Sequence, residues 1–499
     1  MANTGINAAN ATAADTTAIA GTATAIENTT ITGTTNNSVQ LTSAESNAES
    51  VTIITSSKKS YFFDIEAVFR LPAESKVLFL SRFVRMFAYG IISVTLVLYL
   101  TELNLTTEQA GLFLTLSLIG DVLLSLLVTS NADYYGRKLM LIIGSVLMLG
   151  AGITFGLFPS FDQNNFSSGL FVLLIIIGIL GVISPSGNEV GPFTAVEQSI
   201  ITSQIANSVD RTPVFAWYGL IGSLASAIGS AIAGVSVTSL TNNGTSYLNA
   251  YRVVAAIYGA VAVLLIVNFA FLSRGVEMQP KIEVQLESEE LQAKPTVKKR
   301  RFLDGLKLKP ESRGIVIRIS LLFTLDAFAG GLVQASFLSL YFSEKFGVSD
   351  SYLGGMLFGT NILAAFSSLA ASFVVKKVGL INTMVFTHLP SNVLLLLVPF
   401  MPNLTWATVM LLARFSISQM DTAPRNAFVA GVVEADERTA VIGVTTIVRT
   451  IGLALGPLLT GYLAQIGHFD NVFIISGALK IVYDILLLLS ARQTDMARK

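Results

Sequence analysis

The chain has 499 residues, of which 52% are hydrophobic and only 13% charged, with a mean hydropathy of +0.66. Soluble domains carry about 25% charged residues, so this composition describes a polytopic membrane protein and excludes a soluble enzyme with a single anchor. The 32 basic and 32 acidic residues cancel, which leaves no global basic field for nucleic acid. There is no cysteine, and the two histidines, His388 and His468, stand far apart in sequence. Disulfides and thiolate metal or redox chemistry are excluded, and neither a metal nor a cofactor site is expected.

Residues 1–57 are rich in Ala, Thr, Asn and Ser, with no Lys or Arg before Lys58. They lack the basic start and apolar centre of a signal peptide, and read as a disordered cytoplasmic tail. Residues 58–76, which include Tyr61-Phe62-Phe63, are expected along the membrane surface. Apolar runs then recur at 79–101, 109–130, 139–158, 168–188, 214–237 and 250–272. Six more follow at 315–342, 351–375, 381–400, 404–424, 439–464 and 470–491. A bilayer-crossing helix needs about 20 apolar residues, so each run predicts one crossing. The domains follow: an N-terminal six-helix bundle over 58–272, a cytoplasmic linker over 273–312, a C-terminal bundle over 313–492 and a tail over 493–499.

Charge orients the chain. With the amino terminus inside, the outer connections hold only Arg252 and Lys345 among cations. The inner ones hold Lys58, Lys59, Arg70, Lys76, Arg137, Lys138, Arg211, Lys376, Lys377, Arg425 and Arg438, and the linker adds Lys298 to Arg301. That bias predicts both termini in the cytoplasm. Glycosylation sequons at Asn104, Asn165, Asn243 and Asn403 fall in outer loops, although Asn10, Asn28 and Asn36 in the tail fit the same pattern. The membrane is expected to be the plasma membrane, a vacuole or another internal membrane.

The two halves repeat. Gly111 corresponds to Gly354, Gly136 to Gly379, and Phe87-Ala88-Tyr89-Gly90 to Phe328-Ala329-Gly330-Gly331. Arg211-Thr212, Gly229 and Gly234 match Arg438-Thr439, Gly456 and Gly461 at one offset. Two parallel repeats place a substrate site between the halves, near the bilayer midplane.

Between runs 2 and 3 lies Ser130-Asn131-Ala132-Asp133-Tyr134-Tyr135-Gly136-Arg137-Lys138. With twelve runs and a basic central loop, this hairpin resembles the major facilitator superfamily over roughly 75–492. Asp133, Gly136, Arg137 and Lys138 match the family motif, whereas Thr129 and Tyr134 stand where it has a glycine and a cation. The glycine pattern associated with antiporters is absent from run 5, and a close version sits on run 11 as Gly443, Gly452, Gly456-Pro457 and Gly461. Helix packing explains those glycines equally well. The segments Ser418-Gln-Met-Asp-Thr-Ala-Pro-Arg and Ser186-Gly-Asn-Glu-Val-Gly-Pro-Phe resemble a branch related to drug/proton antiporters. The resemblance implies an all-α integral membrane protein: twelve transmembrane helices in two pseudo-symmetric six-helix bundles, with helices 1, 4, 7 and 10 around a central cavity.

Ionisable residues inside spans are expensive and mark pathways, relays or structural pairs. Arg85, Glu189, Asp326 with Gln334, and Arg414 lie in runs 1, 4, 7 and 10. Their depths predict pairs Asp326–Arg414 and Arg85–Glu189, read either as a tuned proton and substrate pathway or as permanent ion pairs. Asp121 and Arg449, at similar depth in runs 2 and 11, are expected to form a gating pair. Asp133 and Arg137, on either side of the Gly136 turn, are expected to latch onto the start of helix 11 at Asp436–Thr439. His388 reads as a packed, hydrogen-bonded histidine, and Lys480 and Asp484, four apart, as partners on one helix face. Tyr89, Trp217, Tyr218 and Tyr341 fit an aromatic pocket and ordinary packing equally.

No constellation for covalent catalysis, metal ligation or nucleotide binding is present, and there is no P-loop. The leading expectation is a monomeric secondary transporter of a small organic solute, working by alternating access with proton coupling, of the drug or metabolite efflux type. Its partners are then the solute, protons and the bilayer. A facilitative or proton-symport uptake carrier, and a non-transporting sensor on a carrier fold, are the alternatives.

Overall fold

The computed structural model describes residues 29–33, 39–43, 65–162, 165–181, 183, 192–205, 208–277, 310–433 and 437–498. Residues 1–61 form one unit and residues 62–499 another. Within the first, β1 (Thr29–Gly33) pairs antiparallel with β2 (Val39–Ser43), Thr29 opposite Ser43. These two strands are the described part of the tail for which the sequence predicts disorder. Both segments mix threonine with Ile, Val or Leu, the residues that favour a pleated strand.

The second unit is helical. After the short α1 (Ile65–Phe69) come α2 (Ala73–Glu102), α3 (Thr107–Tyr135), α4 (Arg137–Leu157), α5 (Ser168–Leu180), α6 (Pro192–Gln204), α7 (Ser208–Asn242) and α8 (Tyr247–Ala270). The C-terminal half holds α9 (Pro310–Leu332), α10 (Ala335–Phe346), α11 (Asp350–Val378), α12 (Leu380–Leu397), α13 (Leu404–Ser418), α14 (Thr422–Val432), α15 (Arg438–Gln465) and α16 (Phe469–Arg498). Ten of these are long and apolar enough to cross a bilayer. The tenth crossing is assembled from α13 and α14, and α5 and α6 flank residues 184–191, which lie outside the described residues; with these the count is consistent with the twelve expected. The seventh is also broken, at Val333-Gln334, directly after the weak helix formers Gly330-Gly331. Residues 192–204, expected as part of a long connection, are helical because Phe193, Val196, Ile200 and Ile201 recur at helical spacing and are buried. On the outside, Leu127, Ile153, Phe366, Phe373 and Phe386 are exposed, a surface suited to lipid rather than water.

Packing repeats between the halves. Helix α2 packs on α7 as α9 does on α15, and α4 on α8 as α12 does on α16. The halves meet where α3 lies against α15 and where α7 lies against α11. Glycines matched in sequence are matched in role here. A Cβ built on Gly111 would lie 2.4 Å from Pro457 O and 3.0 Å from Gly461 Cα. One built on Gly354 would lie 2.5 Å from Ser230 O and 3.0 Å from Gly234 Cα. Beside the first contact, Thr107 N and Oγ1 donate to Gln465 Oε1 at 3.1 and 3.0 Å. Beside the second, Ser351 N donates to Thr238 Oγ1 at 2.9 Å and Tyr251 OH donates to Asp350 Oδ1 at 2.9 Å. Both contacts lie at the end of the bundle that carries the connections 103–106, 243–246, 347–349 and 466–468.

The interface is therefore sensitive to a single methyl group. Gly111→Val must push α3 from α15, because the clash is with backbone atoms that have no rotamer to yield. In a chain without native cysteines, spin labels at positions 107 and 465 are expected to move apart by electron–electron resonance. Gly150→Val, whose Cβ meets nothing within 4 Å, is expected to leave that distance unchanged.

Candidate functional site

The C-terminal half encloses a cavity of about 210 Å³. Its charged and polar wall comes from six helices: Asp326 on α9, His388 on α12, Arg414 on α13, Arg425 on α14, Arg449 on α15 and Lys480 on α16. Gln334 at the break of the seventh crossing and Asp421 at the break of the tenth complete it. Broken helices at membrane depth are tolerated where they line a cavity, which is their place here.

Asp326 is buried and holds the wall together. Lys480 Nζ donates to its Oδ1 at 2.6 Å and Arg425 Nη1 donates to its Oδ2 at 2.9 Å. Arg425 also lies 3.3 Å from Asp421 Oδ2. His388 stands between two carboxylates, with Nε2 3.7 Å from Asp326 Oδ1 and Nδ1 2.9 Å from Asp484 Oδ1. Asn392 Nδ2 donates to the other Asp484 oxygen at 2.9 Å. A buried carboxylate alone costs several kcal/mol, and two cations with good geometry offset that cost.

The N-terminal half has its own ion pair. Arg85 Nη2 donates to Glu197 Oε2 at 2.6 Å, and Arg85 Nη1 donates to Thr194 Oγ1 at 3.0 Å. Glu197, fully buried, also accepts from Tyr218 OH and Ser81 Oγ. The Arg82 guanidinium lies over the Tyr218 ring at 4.9 Å.

The structure gathers Asp326, Gln334, Arg414 and Arg449 at one cavity but corrects several pairings. The carboxylate of Asp326 is met by Lys480 and Arg425 rather than Arg414. Arg425 was assigned to an inner connection on the assumption of an unbroken helix 10. The break at Gln419–Asp421 restarts the chain as α14 and returns Arg425 to the interior, where it is 6% exposed. Lys480 turns to Asp326 instead of Asp484 because α16 packs on α9, leaving Asp484 to His388. Arg85 binds Glu197. Glu189, Asp436 and the side chain of Asp133 lie outside the described residues. Asp121 is buried on α3, Arg449 faces the cavity, and no ion pair joins those two among the described residues.

At the hairpin, the start of α4 meets Glu277. Gly136 has φ +102°, and the opening N–H groups of α4, from Arg137 and Lys138, donate to the Glu277 carboxylate at 2.7 and 3.2 Å. Lys138 Nζ donates to the carbonyls of Ala270 and Leu272 at 2.8 and 2.6 Å. The Glu277 carboxylate thus sits at the positive start of α4. Glu437, at the start of α15, accepts from Ser312 Oγ at 2.6 Å. Sequence reasoning missed Glu197 and Arg425 as site residues, and the apolar spacing around Glu197 was the available signal. Tyr218 and Tyr341 serve as hydrogen-bonded packing, Tyr341 OH donating to Asp470 at 2.6 Å.

Two six-helix repeats joined by glycine contacts, with a charged cavity walled by broken helices, define a membrane transporter and not an enzyme. The sequence profile of the Major Facilitator Superfamily matches residues 78–420 and 319–499, and the chain belongs to that family. It is 29% identical over 428 residues to the uncharacterized membrane protein YJR124C of Saccharomyces cerevisiae, covering 83% of this chain and 92% of the relative. A mutant of the nucleoside transporter NupG superposes with a TM-score of 0.63 at 15% identity, over 83% of this chain and 99% of that one. A D-xylose-proton symporter superposes with a TM-score of 0.62 at 15% identity, over 83% and 96%. At such identities the likeness establishes the fold.

The ion network yields a stability test. Asp326→Asn leaves Lys480 and Arg425 facing a neutral amide, and a broken buried pair costs about 3–5 kcal/mol. The melting temperature in detergent is expected to fall by several degrees. Adding Lys480→Met to Asp326→Asn is expected to recover part of the loss.

Proposed function

We propose that this protein is a proton-coupled secondary transporter of a small organic solute that works by alternating access. The observation that carries the reading is His388, held between Asp326 and Asp484 on the cavity wall. Histidine is the side chain whose ordinary titration lies between pH 5 and 8. A proton gained there changes the balance among Asp326, Lys480 and Arg425, and so changes what the cavity holds. This moves the proton from Asp326 alone, where two cations already sit, to the imidazole beside it. The proton symporter among the structural neighbours supports coupling by analogy.

The cations Arg137, Lys138, Lys376 and Lys377 lie at one end of the bundle and Arg252 and Lys345 at the other. The positive-inside rule then puts the amino terminus in the cytoplasm and the glycine contacts at the outer face, so that the halves are closed outside. The direction we favour is export, since the segment resembling drug/proton antiporters supplies Asp421 and Arg425 to the cavity. Asp121 and Arg449, on the helices joined by Gly111 and Gly461, are the candidate gate when that contact slides.

The test is flux in proteoliposomes under an imposed pH gradient. The wild type is expected to accumulate solute against its gradient. His388→Gln keeps a donor for Asp484 and is expected to retain downhill exchange while losing accumulation driven by the pH gradient. Accumulation unaffected by the pH gradient for every transported solute overturns the coupling.

A further inference from the structure

We infer that the transported solute is an organic anion, with its acid group held between Arg414 and Arg449 and a neighbouring polar group read by Gln334. The inference rests on the cavity being the transport site. Among its described lining residues the cations are Arg414, Arg425, Arg449 and Lys480, and the anions are Asp326 and Asp421. The anions are taken: Lys480 and Arg425 lie within 2.6 to 3.3 Å of their oxygens. His388 is engaged by Asp484. Arg414 and Arg449 remain. Neither is within ion-pair distance of a described carboxylate, and the Nε of each is buried without a hydrogen-bond partner. Among the described residues the Arg414 guanidinium lies 4.8 Å from the Phe415 ring centre.

Two guanidinium groups without carboxylates on one small cavity at membrane depth are costly. A neutral solute does not offset that cost, and a cationic one raises it. A carboxylate or phosphate does offset it, because its oxygens match the planar donors of arginine in pairs. Gln334 supplies a second, independent sign. Its side chain is 5% exposed, lines the same cavity, and has no protein partner at either Oε1 or Nε2. A buried amide left this way is unfavourable, and a solute hydroxyl or carbonyl satisfies it. The volume of about 210 Å³ is below the roughly 300–1,000 Å³ of drug-sized pockets, which fits a compact acid better than a bulky lipophile.

The experiment uses the purified full chain without any gradient. Thermal stabilisation is measured with short mono- and dicarboxylates, their neutral amides, inorganic phosphate and short alkylamines. At least one acid is expected to stabilise the protein, with its amide and the amines inert. Stabilisation by carboxylates with phosphate inert assigns a carboxylic acid, and the reverse assigns a phosphoryl group. Arg414→Gln and Arg449→Gln are each expected to weaken the acid by roughly tenfold, as the loss of one charge-assisted contact does. Arg449→Lys is expected to keep part of the affinity, and Gln334→Leu to weaken the acid without restoring binding of the amide. The melting temperature of each variant without ligand checks that it folds. The inference is overturned if amides stabilise as well as acids, if no acid or phosphate acts, or if both arginine variants keep full affinity. Acid binding with flux indifferent to pH overturns the proton coupling and leaves the anion in place. Gradient-driven flux of a neutral solute does the reverse.

Discussion

The carboxylate of Asp326 is the point on which the C-terminal half depends. A charge at that depth is tolerated only if cations reach it, and they come from two other helices, Lys480 on α16 and Arg425 on α14. To bring Arg425 there, the tenth crossing has to break and restart. To bring Lys480 there, α16 has to pack on α9. His388 and Asp484 then close the second layer of the network from α12 and α16. One ionised group thus fixes the convergence of four helices and the wall of the cavity they enclose.

The N-terminal half solves the same problem with the signs exchanged. Arg85 stands five residues before Gly90, and Asp326 five before Gly331. Gly90 rests on the Ser226 carbonyl of α7 and Gly331 on the Leu453 carbonyl of α15, so the two glycines hold equivalent places. The partner of each charge comes from the second piece of a broken crossing, Glu197 on α6 and Arg425 on α14. The repeat has kept the position of the ion pair and reversed its polarity. Backbone geometry conserves the site, while the sign of its charge is free to change as long as the partner changes with it.

Much of this was legible in the chain itself. Twelve apolar runs, the charge bias of their connections and the matched glycines carried the two-repeat architecture, because lipid demands long helices and close helix contacts demand glycine. The glycines matched between the repeats meet crosswise at the two half–half interfaces, Gly111 on Gly461 and Gly354 on Gly234. Asp326, Gln334, Arg414 and Arg449 were found because polar residues stand out against an apolar run. Their partners were not found, for one reason in each case. Depth along an assumed continuous helix cannot place Arg425 once the helix breaks. Spacing along α16 cannot say that Lys480 prefers a neighbour on α9 to Asp484. The hairpin was legible as a turn, but which carboxylate would meet the start of α4 depended on where residue 277 lies in space.

The two kinds of contact divide the work of a moving carrier. Side-chain ion pairs lock each half internally, Arg85 to Glu197 in one and Asp326 to Lys480 and Arg425 in the other, and breaking either leaves a buried charge alone. The halves meet through glycines pressed on backbone, with hydrogen bonds from exposed or half-buried groups such as Thr107 and Gln465 and from the buried Tyr251 to Asp350. In the N-terminal half Arg85 is matched by Glu197, with Arg82 beside them over the Tyr218 ring. On the proposal of an anionic solute, the cavity of the C-terminal half, with Arg414 and Arg449 on its wall, is the place that binds it.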